Sequence, residues 1–176
     1  MQHLIEVKLA ELNQLFNSMD PSPFRERDLD PRAEEFIVAW AQEHPQQAEL
    51  KLLIHLTRPY SGGGDATLAV QMAVRHYFAD LAGLKWREFR RLMREGRTAM
   101  LIGVCFIALC QLGAGLLAPA SEPWHSMVRE GLTVGGWVAL WRPLEIYLYL
   151  WWPILRLRRT YLRLAAMEVE VIQPEA

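Results

Sequence analysis

The segment Trp141-Arg142-Pro143-Leu144-Glu145 sets a cation and an anion three residues apart within an otherwise apolar stretch. A charge in hydrocarbon is costly, roughly 2.5–3.5 kcal/mol for a central arginine on insertion scales, so such residues face protein or water and find partners. On a helix, Arg142 and Glu145 share a face and can pair with each other or across protomers. Pro143 removes a backbone donor, can kink the helix and frees a carbonyl for Arg142. Three readings fit these residues. The pair locks a helical hairpin or an oligomer, or a helix begins near Pro143 and leaves Arg142 close to an interface, or the pair lines an ion or proton path. No nucleophile and no metal-ligand set accompanies it, so a catalytic role has no support.

The other reactive clusters read more plainly. Ser61-Gly62-Gly63-Gly64-Asp65 opens a helix and could cradle an anion. It lacks the GK[ST] ending of a phosphate loop and is expected to be a connector whose aspartate caps the helix. Asp20, Glu26, Asp28 and Asp30 gather carboxylates in one loop, but their spacing is not that of a calcium loop, and Arg25 and Arg27 stand ready to neutralise them. The five histidines are scattered without helical metal spacing. Cys105 and Cys110 lie about 7.5 Å apart along one helix axis and do not suit an intrahelical bridge. No catalytic residue, cofactor or metal site is expected. Lys85, Arg87, Arg90, Arg91 and Arg94 alternate with Trp86, Phe89 and Leu92 at helical spacing and are candidate contacts for anionic lipid headgroups. The same charges also serve as ordinary topology markers.

The elements that must position these residues follow from hydropathy. The chain has 176 residues, of which 52% are hydrophobic, and a net charge of −1 that argues for no nucleic-acid partner. Residues 99–118 form an apolar run with only Gln111 clearly polar, long enough to cross a hydrocarbon core of about 30 Å. Pro119, Ser121, Glu122, Pro123 and His125 mark a turn, and a second apolar run covers 131–155. Lys85, Arg87, Arg90, Arg91, Arg94 and Arg97 precede the first run, Arg156, Arg158, Arg159 and Arg163 follow the second, and Arg129 alone lies between them. The positive-inside rule therefore predicts a two-helix transmembrane hairpin with both termini cytoplasmic and Trp151 and Trp152 in an interfacial aromatic belt. Two small pairs, Ala99 with Gly103 and Ala114 with Ala118, are spaced for close packing within the hairpin or between copies, and plain exposure to lipid fits them equally. The N-terminus lacks the basic and apolar regions of a signal peptide and is expected to stay cytoplasmic.

Outside the apolar block the pattern is α/β. Residues 4–9 alternate as a strand running into a short helix or turn, and 17–30 read as an ordered loop. Asp30-Pro31 starts a helix that His44-Pro45 ends, with Ala33, Phe36, Ile37 and Trp40 as its buried face. Residues 50–56 make a second strand, able to lie parallel to the first by a right-handed crossover. The helix after Asp65 carries a seam of Val70, Val74, Tyr77, Leu81 and Leu84. Met167, Val169 and Val171 alternate with Glu168 and Glu170, which predicts a strand at 167–172 that joins the N-terminal sheet. The expected organisation is thus an α/β cytoplasmic domain, a β-α-β-α unit, at 1–64, a basic amphipathic connecting helix at 65–97, the hairpin at 98–155 and a basic tail at 156–176.

Residues 15–24 with 26–30 (LFNSMDPSPF, ERDLD), and 136–145 (GWVALWRPLE) running to Trp152-Pro153, resemble a family of small bacterial two-pass membrane proteins. The resemblance implies a bacterial inner-membrane location and carries over no substrate, cofactor or catalytic residue. The residues point to a non-enzymatic membrane protein, with the lipid bilayer and either further copies or a membrane-protein partner as its company. A small oligomeric channel or transporter is the alternative, and it needs several copies with Arg142 and Glu145 facing the centre.

Overall fold

The computed structural model describes residues 2–21, 27–45, 48–60, 65–117 and 123–174. Arg25 and Glu26 of the acidic loop, the glycine connector at 61–64 and the turn at 118–122, with Ala118, lie outside them. The chain divides into two compact units, Met1–Lys85 with Arg156–Ala176, and Trp86–Leu155. The second unit is therefore an insertion between two pieces of the first.

The first unit is mixed α/β, built on a parallel three-stranded sheet in the order β1-β2-β3. Strand β1 (Gln2–Leu9) leads through a 3-10 turn (Leu12–Leu15) and the Phe16–Leu29 bridge into helix α1 (Pro31–Glu43). Asp30 caps α1 by accepting from the Arg32 N–H at 2.9 Å, and Pro31 occupies the first helical position, where a missing N–H does no harm. Strand β2 (Glu49–Leu56) follows, and β3 (Glu168–Ile172) pairs with it in the register Leu52–Val169 and Ile54–Val171. The C-terminal strand thus joins the sheet, and the unit is assembled from both ends of the chain.

Ile5, Leu52, Ile54 and Val169 face a core shared with Ile37 and Ala41 of α1, with Val70, Val74, Phe78 and Ala82 of α2 (Ala66–Leu117), and with Tyr161 and Leu164 of α5 (Trp151–Ala165). Two expected burial assignments are corrected. Phe36 is 51% exposed, because the stripe of α1 is centred on Ile37 and Ala41 and Phe36 is turned about 100° from it. Leu84 is also exposed, since the α2 seam runs through Ala73, Phe78 and Ala82 and stops there.

All helices of this core lie against one face of the sheet. The opposite face shows Leu4, Lys51 and Glu168 in one row, Glu6, Leu53 and Glu170 in the next, and Lys8, His55 and Ile172 in the third. Leu4 and Ile172 are open to solvent there. Parallel sheets are ordinarily covered on both faces, whereas among the described residues of this unit no helix of the core lies over this one.

In the second unit α2 continues without interruption. It is, among the described residues, the one helix long and apolar enough to cross a membrane, and only 17% of its most apolar window is buried. The second apolar run does not form the single helix expected at 131–155. It begins as α3 (Pro123–Ala139), turns at Leu140, resumes as α4 (Trp141–Glu145), widens to a π-helical turn (Ile146–Leu150) and enters α5. Pro143 accounts for the irregularity, because it cannot donate to the carbonyl one turn back.

The two runs pack antiparallel. A β-carbon on Gly103 would stand 2.9 Å from Leu140 Cδ2 and 3.1 Å from the Ala139 carbonyl oxygen, and one on Gly136 would stand 2.9 Å from Ile107 Cγ1. A larger residue at either point would require the facing side chain or backbone to shift, so glycine favours the close approach of the two helices here. Closer to the start of α2, Gly96 faces Ile146; farther along, Gly113 faces Leu132.

Candidate functional site

The break at Leu140 and Pro143 sets the direction of Arg142. Its guanidinium reaches Glu145 on its own segment, with Nη1 3.0 Å from Oε2, and Glu95 on α2, with Nη2 2.9 Å from Oε1. The planar fork of arginine is suited to holding two carboxylates at once. The side chains are roughly half exposed, and Pro143 beside them is fully buried. One cation against two anions makes a cluster of net charge −1 that ties α4 to α2.

The sequence singled out Arg142, Pro143 and Glu145, and the structure brings them together. Glu95 was missed, because it stands among basic residues and reads as part of a solvated face. A signal was available: Glu95 and Arg142 are almost equally distant along the chain from the proline-rich turn, so a hairpin closing there sets them opposite each other. Lys85, Arg87, Arg90, Arg91 and Arg94 lie on α2, all exposed except the half-buried Lys85. Trp86 and Phe89 stack beside them with centroids 5.2 Å apart. The Thr98 hydroxyl donates to the Glu95 carbonyl at 2.9 Å.

Two described carboxylates of the acidic loop, Asp20 and Asp30, accept from backbone N–H groups. Asp20 accepts from the Asp28 N–H at 2.8 Å, and Asp30 is committed to α1. Two histidines far apart in sequence do meet: His3 stacks on His44 with centroids 4.3 Å apart, and Trp40 meets His44 edge-on. Parallel stacking keeps the two rings from converging on one ion, and among the described residues no group of three or more His, Cys, Asp or Glu could hold a metal. Cys105 is exposed, Cys110 is buried, and both are free thiols.

The α/β unit carries its own long-range polar ties. Lys51 pairs with Glu168 at 3.3 Å and Glu170 at 2.8 Å, and these hydrogen bonds raise its pKa above 10.5. The Tyr77 hydroxyl donates to Glu34 at 2.7 Å; partial burial, then that bond, push its pKa well above the ordinary tyrosine value. Arg163 donates to the Ala48 carbonyl at 3.0 Å, and burial lowers its pKa. These ties fasten strand and helix ends and do not converge on a substrate-sized cleft.

No family model, curated protein or solved structure matches the chain.

Proposed function

We propose that the chain is an integral protein of a bacterial inner membrane, crossing it twice with both termini cytoplasmic. In this reading it is not an enzyme; it holds its α/β unit at the cytoplasmic surface and associates there with a second copy through the exposed sheet face.

The spacing of charge along the packed helices carries this reading. Glu95, bound to Arg142, and Gly115, level with Arg129 and Glu130, are twenty residues apart on one helix, which is about 30 Å. That matches the hydrocarbon thickness of a bilayer. Between these levels α2 carries only Arg97, adjacent to the lower one, and 131–141 carry no charge. The apolar surface between them is outward-facing: Leu101, Ile102, Leu109, Leu112, Val134, Trp137 and Val138 are half or more exposed. Exposed apolar side chains around the whole band leave lipid as the medium that satisfies it. In this frame Arg142 belongs to the cytoplasmic boundary, where its long side chain extends towards the headgroups. Tyr147, Tyr149, Trp151 and Trp152 then follow it in the interfacial zone, level with the basic part of α2.

Arg142 is already engaged by two carboxylates of its own chain, which favours a hairpin lock over a pore-lining cation. The exposed sheet face mixes Leu4, Leu53 and Ile172 with Glu6, Glu168, Glu170, Lys8 and Lys51, and a patch carrying apolar groups and both charge signs is compatible with a self-complementary, isologous contact.

The mass of the protein extracted in mild detergent or native nanodiscs tests this function. A discrete homo-oligomer that dissociates on Leu53→Glu supports it. A monomer with one stoichiometric protein partner makes the molecule an adaptor, and a monomer without any partner contradicts the self-association reading.

A further inference from the structure

The second unit holds a groove of about 470 Å³ at the end opposite the Arg142 cluster, between α2 and α3. Gln111, Ala114 and Gly115 line one side, and Arg129, Glu130 and Thr133 the other. Arg129 and Glu130 are exposed, the only carboxylate–guanidinium neighbours on α3, and neither forms an ion pair with another described residue. The groove thus offers a cation and an anion that are consecutive in the chain and have no ion-pair partner among the described residues, with an amide from Gln111 and a floor of small residues. From its lower edge Leu112 and Val134 continue as exposed apolar surface.

We infer that this groove binds the headgroup of a zwitterionic phospholipid bearing a primary amine. The inference rests on the two-pass reading, which sets the groove at headgroup level in the outer leaflet. Charge complementarity identifies the occupant. The guanidinium fork of Arg129 receives the phosphodiester oxygens. The Glu130 carboxylate accepts from the ammonium two carbons away, which has N–H donors to give. Ala114 and Gly115 leave room for the headgroup, and the acyl chains run down the exposed apolar faces below it. An anionic glycerol headgroup satisfies Arg129 but offers Glu130 only neutral hydroxyls, without a counter-charge. A quaternary choline presents no N–H donor to the carboxylate. The site therefore ranks ethanolamine above both.

The test is competition among headgroups for the full-length chain. The protein is placed in nanodiscs of equimolar phosphatidylethanolamine, phosphatidylglycerol and phosphatidylcholine, and lipids retained after release are counted by native mass spectrometry. All three lipids offer Arg129 the same phosphodiester, so only the ammonium–Glu130 pair discriminates, and one exposed ion pair implies a preference of up to about fivefold for the ethanolamine lipid. Glu130→Gln brings its ratio over choline lipid to about one, and Arg129→Gln lowers retention of all three. Both positions are exposed, and an unchanged helical circular dichroism spectrum establishes that each variant is folded. Retention in proportion to disc composition, or a preference that survives Glu130→Gln, overturns the inference. Resistance to alkaline extraction is scored on the same protein first: a chain that washes off the bilayer overturns the two-pass reading itself, whereas an inserted chain without headgroup preference overturns only the lipid site.

Discussion

Arg142 reaches back 47 residues to Glu95, with Nη2 2.9 Å from Oε1, while its other terminal nitrogen holds Glu145. The two carboxylates share one counter-charge, so losing the arginine leaves two like charges facing each other, whereas losing either carboxylate leaves a simple ion pair. Arg142→Ala is therefore expected to destabilise the second unit more than Glu95→Gln or Glu145→Gln does. Because the groups are half exposed, the Glu95–Arg142 coupling in a double-mutant cycle is expected at about 0.5–1 kcal/mol. Denaturant titration in detergent checks both the ranking and the sign, and equal effects from all three substitutions would count against a shared counter-charge.

Close approach of the two apolar helices depends on Gly103 and Gly136. Gly103→Ala sets a methyl group against the Ala139 carbonyl, a backbone atom that cannot rotate away, and is expected to cost about 1–3 kcal/mol. Gly131→Ala meets nothing within 4 Å and removes a helix-weakening residue, so its effect is expected to be neutral or slightly stabilising. Thermal unfolding of the two variants side by side separates packing from propensity.

Much of the first unit was legible in the sequence because its local signals agree. Asp30-Pro31 marks the start of α1, His44-Pro45 its end, and period-two alternation marks β2 and β3. What escaped was non-local. Phe36 is as apolar as Ile37, and only the placement of α1 on the sheet decides which is buried. His3 and His44 meet because the start of β1 lies beside the end of α1. The turn at Leu140 and the π-helical turn after it break a run that reads as continuous, because hydropathy does not register backbone hydrogen bonding. Glu95 needed the register of the folded-back helices.

Assembly of the sheet from both chain ends makes a local test available at β3. Val169 is buried against Leu52, while Glu168 next to it is exposed. Val169→Asp buries an unpaired charge and is expected to cost about 3 kcal/mol or more. Glu168→Ala is expected to stay within about 0.5 kcal/mol, since Lys51 keeps Glu170. Limited proteolysis of the N-terminal strand reads the difference, because β1 and β3 share β2.

Alkaline pH should loosen the same unit. Lys51 and Tyr77 both hold their protons more tightly folded than unfolded, where their ordinary values are 10.5 and 10.0. Each contribution is complete below those values and is lost as pH rises past them. Stability is therefore expected to be level in this respect up to about pH 9 and to fall above about pH 10. Tyr77→Phe removes the proton and its bond to Glu34, so the alkaline fall should become shallower. Denaturation midpoints measured between pH 8 and 11 decide it.

The two-pass arrangement is most directly tested by thiol labelling in intact bacteria. In a Cys105→Ala, Cys110→Ala background, single cysteines replace Ser126 at the start of α3 and Gln173 after β3, and a membrane-impermeant maleimide is added before and after permeabilisation. Ser126→Cys should react in intact cells and Gln173→Cys only once the membrane is opened. Labelling of Gln173→Cys in intact cells, or protection of Ser126→Cys until lysis, would contradict a hairpin that crosses twice with both termini cytoplasmic.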